Sequence, residues 1–193
     1  MNHFQFPVRF GTIFMIWNSE GLLNRIEWSE NRLAIAQRVQ LPTGIAKLAD
    51  QLRAYFYEGQ PIETIPWSQV DQSGWTDFQK EVYLTISRIP HGETRTYGWV
   101  AARLGRTSAS RAVGQALRKN PIPILIPCHR ITTASCKQGM SGMGGFMGVV
   151  DPSLPQVKLK YHLIRMEEEY RSPLFSFLTG GPAWMDCNLG LSS

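Results

Sequence analysis

Cysteine is scarce in this sequence, and its spacing fits neither a metal site nor a disulfide framework. Three cysteines occur in 193 residues, and no two of them form a Cys-x-x-Cys pair. An odd number of isolated cysteines argues against a disulfide-stabilised secreted domain and against a structural zinc site. We therefore expect free thiols in a reducing, cytoplasmic setting and no bound metal.

Long apolar runs and a strong charge of one sign are missing as well. No apolar run approaches the roughly 18 residues of a membrane-spanning helix, so we expect no membrane association. The N-terminus, MNHFQFPVRFGTIF, lacks the basic, apolar and small-residue segments of a secretory signal. Lysine and arginine exceed aspartate and glutamate by 20 to 15, a net charge of +5. This excess is compatible with a polyanionic partner but does not require one.

The first part of the chain predicts a small α+β domain. Segments 8–17 and 22–28 are rich in β-branched and aromatic residues and flank a turn-like Asn-Ser-Glu-Gly cluster, which predicts a β-hairpin. A helix ended by Gly59 follows, and then a short strand at Ile62–Trp67. Polar, turn-rich residues near 73 indicate a boundary, so residues 1–73 form the first domain. The buried positions of the helix are Ile45, Leu48, Ala49, Leu52, Tyr55 and Phe56.

The second domain, residues 74–170, begins with a helical signal. Thr76 and Gln79 fit a capping box, in which each side chain satisfies a backbone donor at the helix start. Pro90 and Gly92 end this helix. Its buried positions are Phe78, Val82, Ile86 and Ile89.

Two short helices then follow around Gly105. Either a helix-turn-helix or an ordinary pair of packed helices fits this pattern. On the second helix Arg111, Gln115 and Arg118 share one side. The apolar positions of the two helices are Val100, Ala101 and Leu104, and then Ala112, Val113, Ala116 and Leu117.

The residues that carry chemistry are Cys128-His129-Arg130, which follow the apolar run ILIP, a buried strand or extended segment. A buried cysteine is ordinarily an inert small hydrophobe. The thiolate is the nucleophile, and a base or positive field that lowered the pKa of Cys128 to about 6–7 would bring the thiolate close to dominance. Histidine is the usual side chain for this task, and His129 acts directly or through a water molecule.

Residues 111–131, RAVGQALRKNPIPILIPCHRI, closely resemble the active-site signature of O6-alkylguanine-DNA alkyltransferases. The preceding IPHGETRTYGWVAARLG is similar to the segment before that signature. The resemblance covers residues 8–170 and is strong from Phe78 onward. It implies an N-terminal, ribonuclease-H-like α+β domain of mainly structural role. It also implies a mainly helical C-terminal domain with a winged-helix-like helix-turn-helix, whose second helix enters the minor groove.

The resemblance assigns DNA contacts to the helix pair. Arg111 replaces the damaged base in the stack, and Tyr97 helps rotate the nucleotide outward, because O6 is inaccessible inside the duplex. The alternative is that Arg111 contacts a phosphate and Tyr97 packs the helices. The backbone carbonyls of Cys128 and Ile131 accept the guanine amino group. Small residues keep the second helix thin enough for the groove: Ala109, Ala112, Gly114 and Ala116.

The implied reaction is displacement at the alkyl carbon by the Cys128 thiolate. His129 takes the thiol proton through a water molecule, and Glu167 orients the imidazole. Glu167 is identified because Lys160-Tyr161-His162-Leu163-Ile164 matches the family's Lys-x-x-Leu-Leu pattern, and Glu168 and Glu169 then face solvent. Asn120 holds the turn between the helix and the active-site segment.

The thioether product is stable, so one protein repairs one lesion. The resemblance also implies that no cofactor is needed and that the protein is a monomer. Its partner is double-stranded DNA containing O6-alkylguanine, and its location is cytoplasmic, associated with the nucleoid or nucleus.

The chain departs from the family after the cysteine. Met143 stands where the family has tyrosine, next to Gly144, and the segment before Lys160 is longer than usual. The change concerns the alkyl-size preference and the aim of Lys160. Met143, Gly144 and Lys160 are expected to bind the base. Residues 171–193 extend past the usual end. Neither Cys136 nor Cys187 is expected to act in catalysis.

Two other functions fit parts of the sequence. A lesion-binding protein would flip alkylguanine without transfer, but such relatives lack the cysteine. A helix-turn-helix transcription regulator would not need the Pro-Cys-His-Arg sequence and would normally dimerise.

Overall fold

A computed structural model describes residues 2–33, 40–62, 64–134 and 142–171. The first three strands form an antiparallel sheet in the order β1-β2-β3. They are β1 (Asn2–Val8), β2 (Gly11–Trp17) and β3 (Leu23–Ser29).

The predicted hairpin is confirmed, but its first strand was placed wrongly. The expected strand at 8–17 contains β2 but only the last residue of β1, Val8, so the rest of β1 was missed. Strand β2 begins at Gly11, where φ is 133° and a Cβ atom would lie 2.0 Å from the Ser29 carbonyl oxygen. Only glycine fits this close turn. Alternating burial of Phe4, Phe6 and Val8 is the period-two signal that identifies β1.

Helix α1 (Thr43–Glu58) buries the predicted apolar residues and ends at Gly59. Gly59 adopts a left-handed conformation, with φ 71°, so that the backbone N–H groups of residues 59 and 60 bond to carbonyls of the last turn. The strand expected at Ile62–Trp67 is wrong. A 3₁₀ turn occupies Trp67–Gln69, and proline at 61 and 66 removes the N–H donors that a paired strand would need.

Helix α2 (Asp77–Ile86) begins with the predicted capping box, in which Gln79 N–H donates to Thr76 and Thr76 N–H donates to Gln79. It ends before Pro90, at the C-cap residue Ser87, whose hydroxyl donates to the Tyr83 carbonyl at 2.7 Å. This end is earlier than the sequence predicts.

Two further helices, α3 (Tyr97–Arg103) and α4 (Ser110–Arg118), lie against α2 and each other. Val113, Ala116 and Leu117 bury one face of α4. Ala112 is exposed, so its predicted place in the buried face is wrong. Adjacent side chains on a helix point in different directions, so Val113 lies in the core whereas Ala112 faces solvent.

Short parallel strands β4 (Arg95–Thr96) and β5 (Ile131–Thr132) join the helix pair to the segment that follows Cys128. The last helix, α5 (Pro155–Arg171), packs against that segment.

One hydrophobic core runs through both parts of the described chain. The Ile26 N–H of β3 donates to the Pro121 carbonyl at 2.8 Å, so the N-terminal sheet directly supports the loop that leads to Cys128. No helix among the described residues is long and apolar enough to cross a membrane.

Candidate active site

Cys128 begins a 3₁₀ turn, Cys128–Arg130, at the end of a buried apolar segment. Residues 122–127 are buried, as expected, but they turn back on themselves and are not a strand, since their one ladder contact is an isolated bridge between Pro123 and Ile126. Ile124 has φ 78°, a conformation that costs a β-branched residue energy. The site therefore stores backbone strain just before the cysteine.

Asn120 fixes this segment and also contacts the sulfur. Its side-chain N–H donates to the Ile126 carbonyl at 2.9 Å and to Cys128 Sγ at 3.2 Å, and its oxygen accepts from Ile122 N–H. The structure places Asn120 in the turn that the sequence indicates. The contact with the sulfur was not foreseen.

The Cys128 thiol is neutral at rest, because the pKa of its side chain is raised and not lowered. Only 5% of the residue is exposed. Burial raises the pKa of the thiol, and this outweighs the Asn120 hydrogen bond and the positive charge of Lys160, which both act to lower it. A thiol of raised pKa needs a base that removes its proton during the reaction.

His129 is fully buried and paired with Glu167. Its Nε2 lies 2.8 Å from Glu167 Oε1. Burial lowers the pKa of His129 against the opposing effect of the carboxylate, so the ring is neutral. An ionised carboxylate can only accept, so Nε2 carries the hydrogen and Nδ1 carries a lone pair. Nδ1 has no hydrogen-bond partner in the described part of the chain.

Glu167 is ionised and lies at the centre of the buried polar groups. Burial alone raises the pKa of its carboxyl, but His129 and Arg130 together hold the pKa well below its usual range. Arg130 donates to both carboxylate oxygens, at 2.8 and 2.9 Å, and Gly92 N–H donates to Oε2 at 3.0 Å. Its neighbour Glu168 is exposed, as expected.

Two residues of this network were missed by the sequence argument. The Tyr55 hydroxyl donates to Glu167 Oε1 at 2.8 Å, and His91 Nδ1 lies 3.6 Å from the same oxygen. Tyr55 was identified only as a buried position of α1. The signal that could have found it is general: a buried tyrosine hydroxyl needs a partner.

We expect the protein to lose stability as the pH falls from about 6.5 to about 4, with His91 as one cause. Burial lowers the pKa of His91 from 6.5 to about 4. Between these values the unfolded chain binds a proton that the folded protein excludes, so this contribution is complete above 6.5 and is lost towards 4. Each pKa unit corresponds to about 1.4 kcal/mol of unfolding free energy. Because water screens part of the ring, we expect His91 to contribute roughly 2 kcal/mol, which is below the full value for a shift from 6.5 to about 4.

The measurement is the midpoint of urea unfolding as a function of pH, for the wild type and for His91→Gln. In His91→Gln the midpoint should fall less between pH 6.5 and 4. His3→Gln is the control, because His3 is exposed on β1. If His91→Gln follows the wild-type curve, His91 is not a cause.

Lys160 is completely buried, and its ammonium donates to the backbone carbonyls of Ile131 and Gly145. The side chain of Ile131 is buried as well. Lys160 therefore joins the segment after Cys128 to the glycine-rich segment at 142–150. It is also the positive charge that acts on the thiol.

A cavity of about 290 Å³ opens beside Cys128 between α4 and residues 145–150. Tyr97, Arg111, Gln115 and Arg118 line its α3–α4 side. The opposite side is apolar and comprises Phe146, Met147, Val149 and Val150.

Met143 lies outside this lining, although it is buried. Phe146 and Met147 occupy the place expected for it. Gly144 touches Tyr97 instead: its φ is 73°, and a Cβ atom there would lie 2.7 Å from the Tyr97 hydroxyl oxygen.

The Tyr97 hydroxyl stays protonated, because burial and the nearby sulfur raise its pKa. The structure thus brings Cys128, His129, Glu167, Asn120 and Lys160 together and places Tyr97 in the lining of the cavity. Cys136 and residues 172–193, including Cys187, lie outside the described residues.

Comparison with known proteins gives consistent results. Residues 77–168 match the family described as 6-O-methylguanine DNA methyltransferase, DNA binding domain. A methylated-DNA–protein-cysteine methyltransferase of Shigella flexneri is 35% identical over 133 residues, 63% of this chain and 75% of that protein. One from Methanosarcina barkeri is 32% identical over 165 residues, 82% of this chain and 91% of that protein. The crystal structure of Mycobacterium tuberculosis OGT in complex with DNA aligns with TM-score 0.63 and 29% identity, covering 85% of this chain and 91% of that one.

Proposed function

Because this chain belongs to the family of methylated-DNA–protein-cysteine methyltransferases, we propose that it repairs DNA by transferring an alkyl group from the O6 atom of guanine to Cys128 Sγ. The observation that carries the proposal is the position of Cys128. Cys128 lines a largely apolar cavity, and the next residue, His129, is buried and paired with Glu167.

The reaction begins with removal of the thiol proton. Nδ1 of His129 is the acceptor, through a water molecule, and Glu167 stabilises the imidazolium that forms. The Cys128 thiolate then attacks the alkyl carbon, a carbon–sulfur bond forms and the carbon–O6 bond breaks. The electron pair leaves with guanine, to which Tyr97 donates a hydrogen bond as negative charge develops. The thioether is stable, so each molecule reacts once.

The lesion reaches the sulfur by leaving the duplex. Arg111, Gln115 and Arg118 are exposed along α4, a polar and positive face suited to DNA. Arg111 takes the place of the extruded base in the stack. The carbonyls of Cys128 and Ile131 accept the guanine amino group, and Lys160, through its bond to the Ile131 carbonyl, holds that acceptor in place.

The finer architecture and the state of the protein are part of the proposal. The sheet with α1 is the ribonuclease-H-like element, and α3, α4, β4 and β5 form the winged-helix-like element. The protein acts as a cytoplasmic monomer without metal or cofactor on double-stranded DNA.

The test is the intact mass of the protein after mixing with a short duplex that contains one O6-methylguanine. We expect a gain of about one methylene, located in the peptide that holds Cys128 and saturating at one per protein. An unmodified duplex is the control. Binding to the lesion without any gain would contradict transfer and favour the lesion-binding function.

A further inference from the structure

Tyr55 extends from the N-terminal part of the chain into the candidate active site. It lies near the end of α1, with none of its surface exposed. Its hydroxyl donates to Glu167 Oε1 at 2.8 Å, and its oxygen lies 3.3 Å from His129 Nε2. The ring also meets the His91 ring edge-on, with centroids 5.9 Å apart.

The Glu167 carboxylate is held differently at its two oxygens. Oε2 accepts from the Arg130 Nε–H and Gly92 N–H groups. Oε1, the oxygen that faces His129, accepts from Tyr55 and from the second Arg130 group. The tyrosine hydroxyl is therefore the neutral donor beside the Glu167–His129 hydrogen bond.

We propose that Tyr55 is a positioning residue for alkyl transfer, which holds Glu167 Oε1 and the His129 imidazole so that Nδ1 can accept the Cys128 proton. The inference rests on the proposed function. It gives the N-terminal part a role in the chemistry beyond structural support.

The charged groups around Tyr55 determine how removal of its hydroxyl should change the pH dependence of alkyl transfer. The titratable and charged groups that face it are Glu167 of α5, His129 and Arg130 of the 3₁₀ turn, and His91 from the loop after α2. Without the hydroxyl, the negative charge on Oε1 is less neutralised and attracts a proton on His129 more strongly. The base is then protonated, and inactive, up to a higher pH.

The experiment compares Tyr55→Phe with the wild type in single-turnover methyl transfer across pH. We expect a rate constant about 10-fold lower, as for the loss of a group that orients a histidine, and an acid limb moved to higher pH. Tyr57→Phe is the matched control on the same helix, since that hydroxyl donates to the Pro7 carbonyl and the residue is 46% exposed.

The rate constant is measured on the protein that becomes alkylated, so a smaller folded fraction lowers the amplitude and not the rate constant. A second readout is the ¹⁵N spectrum of His129 without DNA, in which the doubly protonated imidazolium should persist to a higher pH in Tyr55→Phe than in the wild type. Glu167→Gln combined with Tyr55→Phe should be no slower than Glu167→Gln alone, because Tyr55 acts through that carboxylate.

The outcomes separate the two proposals. If the wild type transfers the methyl group while Tyr55→Phe has an unchanged rate constant, pH profile and ¹⁵N spectrum, Tyr55 is only structural and the alkyl-transfer function stands. If the wild type transfers nothing, the proposed function itself is wrong.

Discussion

Replacing Cys128 with alanine is expected to abolish alkyl transfer completely and to leave DNA binding nearly unchanged. The substitution removes the only atom proposed to form the carbon–sulfur bond. The turn before it should survive, because Asn120 keeps its hydrogen bonds to the Ile126 carbonyl and to Ile122 N–H. The exposed face of α4 is not altered. Transfer is measured as mass gain per protein, and binding as the dissociation constant for the same lesion-containing duplex.

A variant with Cys136→Ala and Cys187→Ala is the control for thiol loss in general, and it should transfer one alkyl group per protein. The affinity of Cys128→Ala should remain within a few-fold of the wild type at a fixed salt concentration, because affinity for DNA depends on salt. Loss of DNA binding together with transfer would assign Cys128 a structural role. Residual transfer in Cys128→Ala would identify another nucleophile.

The residues of the site that lie close together in the sequence were predicted, whereas a contact between distant residues was not. Cys128, His129 and Asn120 lie in one short segment, and the resemblance identified them together with Glu167 in α5. Tyr55 and Glu167 are 112 positions apart. No local pattern specifies that two such side chains meet, because the contact depends on how α1 packs against α5.

The ionisation of the cysteine could not be predicted for the same reason. The adjacent His129 and Arg130 are groups that could lower the pKa of Cys128. In the structure Arg130 donates to Glu167, and burial of the cysteine has the largest effect on its pKa. Burial is a property of the assembled core and has no counterpart in neighbouring residues.

The elements with strong periodicity or a specific cap were predicted well. The apolar spacing of α1 and the Thr76–Gln79 capping box both depend on residues within one or two helical turns. The errors at Gly11 and at Ile62–Trp67 concern strands, whose formation depends on a partner elsewhere in the chain. The close approach of Gly11 to Ser29 arises because β2 pairs with β3, and Ser29 lies 18 positions further along the chain.

Replacing Glu167 with glutamine is expected to lower both stability and the rate of transfer. Arg130 is 7% exposed and would lose the negative charge that compensates its guanidinium. Removing one partner of a buried ion pair costs about 3–5 kcal/mol. The imidazolium formed during the reaction would also lose its counter-ion, so we expect a rate constant about 100-fold lower. The measurements are the urea unfolding curve and single-turnover alkylation at pH 7.

The adjacent Glu168→Gln is the matched control, because Glu168 is exposed and pairs only with Arg165 among the described residues. The pH dependence gives a second check. The pKa of Glu167 is depressed in the folded protein, so its contribution to stability is complete above its ordinary pKa of about 4.5 and is lost as the pH falls below it. Glu167→Gln should lack this acid loss, whereas Glu168→Gln should retain it. Equal stability and equal rate constants for the two variants would show that the buried carboxylate neither compensates Arg130 nor assists His129.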